Sequence, residues 1–327
     1  MMDYNFKKSS CTVAFLLFFL LAFQAFSQKE PQYTQYMYNI GSFNPAYVGT
    51  VETPELSGLY RAQWIDVPGA PRTFRFGANL PFKNEKVGLG LNIVSDQLGP
   101  MSQTYADISY SYQVNVTDET KLSFGIDAGG SFLNVDLTKG TFENPGENLN
   151  GEMISRFYPT VGAGAFLYSD DWYLGASAPN FLTEGIYNDD VASIVEDKLQ
   201  FNFIGGYVFE LSDNLKFKPA FLINTIQGSP VNINLSTNFL ISDIVTAGAS
   251  YRINNAFSGL VGFQISNSLF AGYSYDYNTN LLGEFNNGSH EVILKFYLGR
   301  GGSVKSTGDK DKNAKGKPKQ IDSPRFF

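Results

Sequence analysis

Apolar and polar residues alternate along most of the chain. In YADISYSYQV, residues 105–114, every second residue from Ala106 onward is apolar, and the residues between are Asp, Ser and Gln. In VNINLSTNF, residues 231–239, apolar residues and one Thr alternate with Asn and Ser. A period of two places successive side chains on opposite faces of a strand, whereas a helical face repeats about every 3.6 residues. The pattern therefore predicts strands with one apolar and one polar face.

The same alternation recurs in about fourteen runs of roughly ten residues or more. This length is close to the roughly 9–11 residues that a tilted strand needs to cross a bilayer. The runs lie near 55–64, 73–82, 87–98, 104–116, 121–137, 157–168, 172–181, 198–211, 216–227, 231–241, 245–254, 257–266, 269–278 and 290–299.

The connections between the runs differ in length. Those that follow the even-numbered runs are short and polar: KNEK, VTDET, YSDD, LSDN, ISD and ISN. Those that follow the odd-numbered runs include the long acidic stretches 138–156, 182–197 and 279–289, although INN at 253–255 is short. Tight turns at one end and long loops at the other are typical of an outer-membrane barrel, and an even strand number returns both termini to the periplasm.

We therefore expect an all-β fold, a transmembrane antiparallel outer-membrane β-barrel of about 14 strands over residues 54–299. A soluble sandwich or jelly roll is the alternative, because its strands also alternate. Strand length, the sidedness of the loops and glycines on the polar face, such as Gly88 and Gly125, favour the barrel. Closure also removes exposed sheet edges. Interfacial aromatic girdles are expected at Trp64, Phe82, Tyr105, Trp172, Phe181 and Tyr297.

The first residues have the features of a secretion signal. Lys7 and Lys8 precede the apolar run 13–23, and the following AFSQ has small residues where a signal peptidase cleaves. We expect residues 1–27 to be the signal peptide; an uncleaved anchor is the alternative, although the run is short for a membrane span. Cys11, the single cysteine, would leave with the signal. Disulfides, thiolate metal sites and cysteine nucleophiles are then excluded.

The charge is unevenly distributed between the body and the C-terminal tail. The body to Gly299 is acidic, whereas residues 300–327 are Lys-rich and low in complexity. An acidic body argues against nucleic acid as a partner. The tail is expected to be a disordered basic periplasmic segment, either a simple tether, a remnant of a barrel-insertion signal, or a segment whose end binds a periplasmic partner. The residues of that end are Pro324, Arg325, Phe326 and Phe327.

The segment 28–53 does not alternate. Apolar residues from Tyr33 to Ile40 recur at spacings of three and four, which predicts a short amphipathic helix that ends at Gly41 and at Asn44–Pro45. We expect this periplasmic segment to plug the barrel mouth, to bind a periplasmic partner, or both. The candidate residues are Tyr33, Tyr36, Met37, Tyr38, Ile40, Asn44, Pro45 and Tyr47.

His290 is the only histidine and the only candidate for an esterase-like base. Its neighbours Ser289 and Glu291 would face the opposite side of a strand, so a triad is not expected. There is no zinc-binding spacing, glycine-rich phosphate loop or EF-hand pattern, although calcium binding in the acidic outer loops stays open. We expect no catalytic residues, no cofactor and no enzyme activity.

Several stretches together resemble one known family. PQYTQYMYNIGSFNPAYVGT (31–50), the stretch 59–100 that begins LYRAQW, the last strand SHEVILKFYL (289–298) and the end SPRFF (323–327) are similar to the PorP/SprF family of type IX secretion proteins of gliding and secreting Bacteroidetes. The resemblance implies an outer-membrane protein that supports export or anchoring of proteins with a type IX C-terminal signal domain, often large adhesins. It also implies contact with the periplasmic machinery, including a peptidoglycan-binding lipoprotein.

The resemblance does not distinguish the two branches of the family, a general secretion component and a version specific for one adhesin. A passive outer-membrane porin or hydrophobic-solute transporter of similar architecture is the alternative function. Both interpretations place the protein in outer-membrane lipid.

Overall fold

The computed structural model describes residues 32–82, 86–136, 153–182 and 198–299. The predicted signal peptide and the tail 300–327, including Pro324, Arg325, Phe326 and Phe327, lie outside these residues. The described residues form 15 β segments. They are β1 (Glu55–Ala62), β2 (Arg72–Pro81), β3 (Val87–Leu98), β4 (Met101–Asn115), β5 (Lys121–Asp136), β6 (Met153–Tyr168), β7 (Trp172–Ala178), β8 (Gln200–Tyr207), β9 (Phe209–Ser212), β10 (Leu215–Ile226), β11 (Asn232–Ile241), β12 (Val245–Arg252), β13 (Ala256–Ser266), β14 (Leu269–Asn278) and β15 (Ser289–Tyr297).

The segments close into one antiparallel barrel. β8 and β9 both pair with β10 and are two parts of one strand, interrupted at Val208, so the wall has 14 strands. β15 pairs with β1, from Glu55 opposite Tyr297 to Ala62 opposite His290. The predicted all-β barrel is therefore confirmed, and the sandwich alternative is wrong, because one continuous sheet closes on itself.

The two faces of the wall follow the predicted alternation. On β4, Ile108 and Tyr110 are exposed on the outer face, whereas Ser109 and Ser111 are buried on the inner face. On β11, β14 and β15 the buried residues of the inner face are likewise mostly Asn, Ser and charged residues. Outward apolar residues and inward polar residues are the arrangement of a barrel whose outer surface is in lipid.

The two ends of the barrel have different connections. At the turn end, where β1 begins and β15 ends, every connection is five residues or fewer, from 82–86 to 267–268. One of these turns has Ser242 and Asp243 at φ values of 53° and 56°, the left-handed backbone of a tight hairpin. The opposite end, the loop end, has the longer connections 63–71, 179–199 and 279–288.

Some details differ from the expectations. β4 begins at Met101 and not near residue 104, because Gly99 has a φ of +54° and forms a two-residue turn with Pro100. Tyr105 and Tyr297 face the lumen and not the lipid, since Tyr105 pairs with the buried Ser131 and Tyr297 with the buried Glu55. These two tyrosines are therefore not part of a girdle.

The largest cluster of buried apolar side chains lies inside the barrel. It joins the segment before β1 to inward residues of the wall such as Leu59, Phe166 and Ile293. In the described ranges, no helix combines the length and hydrophobicity that a membrane span requires. The interior of the barrel is thus where the candidate residues lie.

Candidate functional site: a segment buried in the lumen

Residues 32–50, here called the lumenal segment, lie inside the barrel before β1. They form three 3₁₀ turns, Tyr36–Tyr38, Ile40–Ser42 and Pro45–Tyr47. The prediction of one short helix that ends at Gly41 is wrong, because Gly41 lies within the second turn. Each turn closes by backbone bonds between residues three apart, such as Tyr38 N to Gln35 O at 3.0 Å.

All eight candidate residues of the segment are buried. Tyr36 is 0% exposed and Ile40 is 1% exposed. Polar residues between them, such as Gln35 and Asn39, are buried as well, so the segment does not have the single apolar stripe that the spacing predicted. The barrel wall surrounds the segment, which explains why its polar face is also covered. The buried candidates are Tyr33, Tyr36, Met37, Tyr38, Ile40, Asn44, Pro45 and Tyr47.

One end of the lumenal segment is bound by two carboxylates. Glu291 accepts hydrogen bonds from the backbone nitrogens of Thr34, at 3.0 Å, and Gln35, at 2.8 Å. The Thr34 hydroxyl donates to Asp276 at 2.7 Å. Arg61 pairs with Asp276 at 2.6 Å and with Glu291 at 3.0 Å. The segment is therefore hydrogen-bonded to an ion-paired cluster on β1, β14 and β15.

The lumenal segment contributes no charged side chain to this cluster. Residues 32–50 contain no charged side chain. Arg61, Asp276 and Glu291 are all at most 1% exposed, and the arginine is ion-paired with both carboxylates. Charge-assisted bonds from neutral donors to a carboxylate are stronger than bonds between neutral groups. The wall thus supplies the charges and the segment supplies N–H and O–H donors.

The other end of the segment packs against glycines of the wall. A Cβ added at Gly88, Gly90 or Gly125 would lie closer than 3.0 Å to atoms of the segment: Gly49, Val48 and Ala46, respectively. A Cβ at Gly164 would meet the Asn44 side chain. Glycine permits this close approach because it has no side chain. The wall glycines Gly88, Gly90, Gly125 and Gly164, here called the glycine trough, provide the space for residues 44–49.

Backbone carbonyls fix the segment along the trough. Ser177 donates to the Phe43 carbonyl at 2.6 Å, and Gln113 donates to the Gly49 carbonyl at 2.9 Å. Asn44 bonds to the Ala165 carbonyl at 3.2 Å and caps the last 3₁₀ turn by accepting from Ala46 N. The polar face of the barrel therefore satisfies the backbone of a chain that lies across it.

Aromatic rings fill the space between the turns and the wall. The Tyr38 ring lies 4.9 Å from Phe270 and the Tyr47 ring 5.7 Å from Phe166. The Tyr36 hydroxyl is 2.8 Å from the Ser236 hydroxyl on β11. Burial raises the pKa of Tyr38 to about 12 and also raises the pKa of Tyr36, because the charged phenolate would lose its hydration. Both phenols are therefore neutral under physiological conditions.

His290 does not form a catalytic site with its sequence neighbours. It lies on the outer face of β15, where its Nδ1 is 2.6 Å from the Tyr273 hydroxyl. Ser289 and Glu291 are buried on the lumenal face. Among the residues of the four described ranges, no group of three His, Cys, Asp or Glu side chains is arranged to bind a metal ion.

Sequence reasoning identified the lumenal segment but missed the wall residues that hold it. Arg61, Asp276 and Glu291 are up to 230 residues apart along the chain. Each is a charged residue at a position whose side chain the alternation pattern places on the inner face. This combination was visible in the sequence. Their proximity depends on which strands are neighbours after closure, and the alternation pattern does not contain that information.

The fold and the filled lumen define a class of protein, an outer-membrane β-barrel with an N-terminal segment inside it. The profile of one family, described as type IX secretion system membrane protein PorP/SprF, matches residues 25–296. The chain belongs to this family, as the resemblance indicated. Membership places the protein in type IX secretion, in association with its machinery, and together with the fold it places the protein in the outer membrane.

Three solved structures are similar to the chain at low sequence identity and with TM-scores below 0.5. A Pseudomonas aeruginosa FadL homologue is 14% identical over 82% of this chain and 95% of its own, with a TM-score of 0.43. The CymD monoaromatic hydrocarbon channel is 11% identical over 84% of this chain and 95% of its own, with a TM-score of 0.49. The NanC porin is 10% identical over 75% and 100%, with a TM-score of 0.40. No curated protein matches the chain.

Proposed function

We propose that the protein is a non-enzymatic component that supports export or surface anchoring of proteins bearing a type IX C-terminal signal domain, with a gliding adhesin among the cargo. The observation that carries this proposal is the family match over residues 25–296. The lumenal segment adds a mechanistic constraint. Because residues 44–49 fit the glycine trough and Thr34 is bound by Glu291 on β15, the lumen is occupied by the protein's own chain.

A barrel filled in this way is better suited to hold other proteins than to conduct them. A secreted domain would have to displace the lumenal segment and its bonds to Glu291, Asp276 and Ser177. We therefore place the cargo contact on the loops at the outer side, and we assign the barrel the role of a fixed membrane anchor. This assignment follows from occupancy of the lumen and from family membership together.

The proposal orients the barrel with its turn end toward the periplasm. The chain enters β1 at Glu55 and leaves β15 at Tyr297, both at this end. Short turns on the periplasmic side are the general arrangement in outer-membrane barrels. The basic tail 300–327 would then extend into the periplasm, where a peptidoglycan-binding lipoprotein of the secretion machinery is its proposed partner.

Deletion of the gene tests the function. Surface proteins and secreted proteins of the deletion strain are compared with those of wild type by mass spectrometry, with re-expression of the full chain as the control. Loss of signal-bearing proteins, restored by re-expression, supports the proposal, and loss of one adhesin alone marks the adhesin-specific branch. An unchanged surface with a growth defect on one solute would contradict the proposal and support a passive porin.

A further inference from the structure

Three large apolar side chains are exposed just beyond the end of β14. They belong to the 3₁₀ turn Leu281–Glu284 and to the following Phe285, here together called the apolar turn, in the connection between β14 and β15. Leu281 is 81% exposed and Phe285 74% exposed, and Leu282 is exposed as well. Neighbouring apolar side chains at a surface mark a contact with protein or membrane. The apolar turn is therefore a candidate contact surface.

The turn directs its apolar side chains away from the end of the barrel wall. Gly283 is the residue that faces the wall, because a Cβ there would lie closer than 3.0 Å to the Asn278 carbonyl oxygen at the end of β14. Side chains three residues apart are eclipsed in a 3₁₀ helix. Leu282 and Phe285 therefore share one face of the turn, and that face is not the one against the wall.

Hydrogen bonds fix the connection 279–288 in this position. The Asn280 side chain caps the turn by accepting from the Leu282 nitrogen at 3.1 Å. The Ile65 nitrogen, in the neighbouring connection, donates to the Gly288 carbonyl at 2.9 Å. The exposed side chains are thus carried by a defined turn that is bonded at both of its ends.

The connection is continuous with the lipid-facing surface of the barrel. Tyr275 points outward from β14, and its hydroxyl donates to the Asn287 carbonyl at 3.2 Å. Tyr273 and Tyr277 are exposed on the same outer face of β14. Tyrosines whose ring is in an apolar environment and whose hydroxyl is at its edge are typical of the membrane interface. The apolar turn begins directly beyond this row of tyrosines.

Strand length places the apolar turn at the level of the membrane interface. β14 has 10 residues and β15 has 9. A tilted strand needs about 9–11 residues to cross the hydrocarbon core, so the connection between these two strands begins where the core ends. β5 and β6 have 16 residues each, so their connection begins farther from the membrane. The β14–β15 side is thus the short side of the wall.

The charge of the connection also favours lipid as the contact. Residues 279–288 contain one charged side chain, Glu284. It is three residues from Leu281 and shares a face of the turn with it, apart from the face of Leu282. A charge costs little near the interface and much more at the bilayer midplane. The connection offers a protein partner almost no charge complementarity, whereas it offers lipid an apolar face.

We propose that Leu282 and Phe285, with Leu281 at their border, insert into the lipid leaflet at the loop end and anchor the short side of the wall. The contact is with the boundary between head groups and acyl chains, where amphipathic elements bury their apolar faces. In the orientation proposed above, this is the outer leaflet. The anchor holds the rim of β14 and β15 at the interface. The proposal is independent of the role in secretion.

The direct test measures the environment of residue 285 in a bilayer. The mature chain 28–327 has no cysteine, since Cys11 precedes it, so Phe285→Cys can be labelled with the fluorophore NBD. The labelled protein is folded into phosphatidylcholine vesicles. We expect emission at shorter wavelength than in water, strong quenching by nitroxide-labelled acyl chains and weak quenching by iodide on both sides of the bilayer. Quenching by iodide without quenching by the nitroxide lipid would overturn the proposal.

Two further labelled variants calibrate the measurement. Ile126→Cys on the outer face of β5 gives the value for lipid, and Glu119→Cys in the turn 116–120 gives the value for water. Heat-dependent gel mobility verifies that all three variants are folded. We expect the iodide quenching constant at residue 285 to be several-fold lower than at residue 119. Equal constants at these two residues would overturn the proposal.

Photo-crosslinking in cells distinguishes lipid from a protein as the contact. A photoreactive phenylalanine analogue is placed at residue 285 of the full chain, and the adducts are identified by mass spectrometry. We expect adducts of lipid mass. A protein as the main adduct would overturn the lipid anchor and would leave the role in secretion unaffected.

Discussion

Gly125 on β5 lies so close to Ala46 of the lumenal segment that a Cβ at residue 125 would approach the Ala46 nitrogen closer than 3.0 Å. The same holds for Gly88 and Gly49, where two glycines of distant parts of the chain face each other. At Gly88 and Gly125 the wall lacks a side chain where the segment lies, and this leaves room for the segment. The barrel and its N-terminal segment therefore form one packed unit.

Gly125→Leu should displace the lumenal segment and leave the barrel folded. Forcing a larger side chain into a packed site costs about 1–3 kcal/mol, which corresponds to a rise of about 5- to 150-fold in the displaced population. A cysteine introduced as Ile40→Cys, at a position 1% exposed, reports displacement through its rate of maleimide labelling. We expect that rate to increase by the same factor.

Gly259→Leu is the matched control for Gly125→Leu. Gly259 lies on β13, and a Cβ there would meet nothing within 4 Å. Labelling of Ile40→Cys should be unchanged in this background. Equal labelling rates in the Gly125→Leu and Gly259→Leu backgrounds would show that the glycine trough does not hold the segment.

Arg61→Met should destabilise the protein more than any change to a surface ion pair. It leaves the buried carboxylates of Asp276 and Glu291 without their cation, and breaking a buried pair costs about 3–5 kcal/mol. The free energy of unfolding is measured by urea titration with tryptophan fluorescence. Lys216→Met, which breaks a partly exposed pair with Asp243, should cost about 0–1 kcal/mol. A loss in Arg61→Met no larger than in Lys216→Met would refute the role of the cluster.

Ile126→Arg should impair insertion into the membrane. Ile126 is on the outer face of β5 and is 61% exposed in the absence of lipid. A charged side chain on the lipid face of a barrel costs on the order of 2–4 kcal/mol near the bilayer midplane. Folding into lipid vesicles, followed by the heat-dependent shift in gel mobility, measures the effect. Glu119→Arg in the turn 116–120 should fold as wild type, and equal folding of both variants would contradict the assigned outer face.

His290→Ala should leave the secretion function intact. We also expect the wild type and the variant to have the same hydrolytic activity, at background level. His290 faces outward against Tyr273, whereas the adjacent Ser289 faces the lumen. Purified wild-type and variant protein are compared on short-chain esters and phospholipids. An esterase activity of the wild type that disappears in His290→Ala would contradict the non-enzymatic proposal.

The strands were predictable because their alternation is local. Residues 87–98 and 269–278 are strands with the expected bounds, since both runs are closed by residues that favour turns. The inward glycines Gly88 and Gly125 were also visible on the polar face of their strands. The packing of the lumenal segment against these glycines was not predictable, because a glycine in a sequence does not reveal which part of the chain contacts it in the fold.

The interior of the barrel was the less predictable part. The 3₁₀ turns of residues 36–47 depend on contacts with the surrounding wall, and a spacing of three to four residues suits an α-helix equally well. The interruption at Val208 lies where β10 changes from pairing with β9 to pairing with β8. This change depends on the neighbouring strand, so the sequence of the run 198–211 does not show it. The pairing of Arg61 with Asp276 and Glu291 likewise depends on closure between β15 and β1.

The central claim is that the lumenal segment closes the barrel, and ion conductance in planar lipid bilayers tests it most directly. Purified wild-type protein should insert without a steady current, and a variant that lacks Tyr33–Ile40 should conduct, because the residues that bridge Glu291 and Ser236 are removed. Equal insertion of both proteins is verified by their heat-dependent gel mobility. A steady wild-type current equal to that of the deletion variant would contradict the claim.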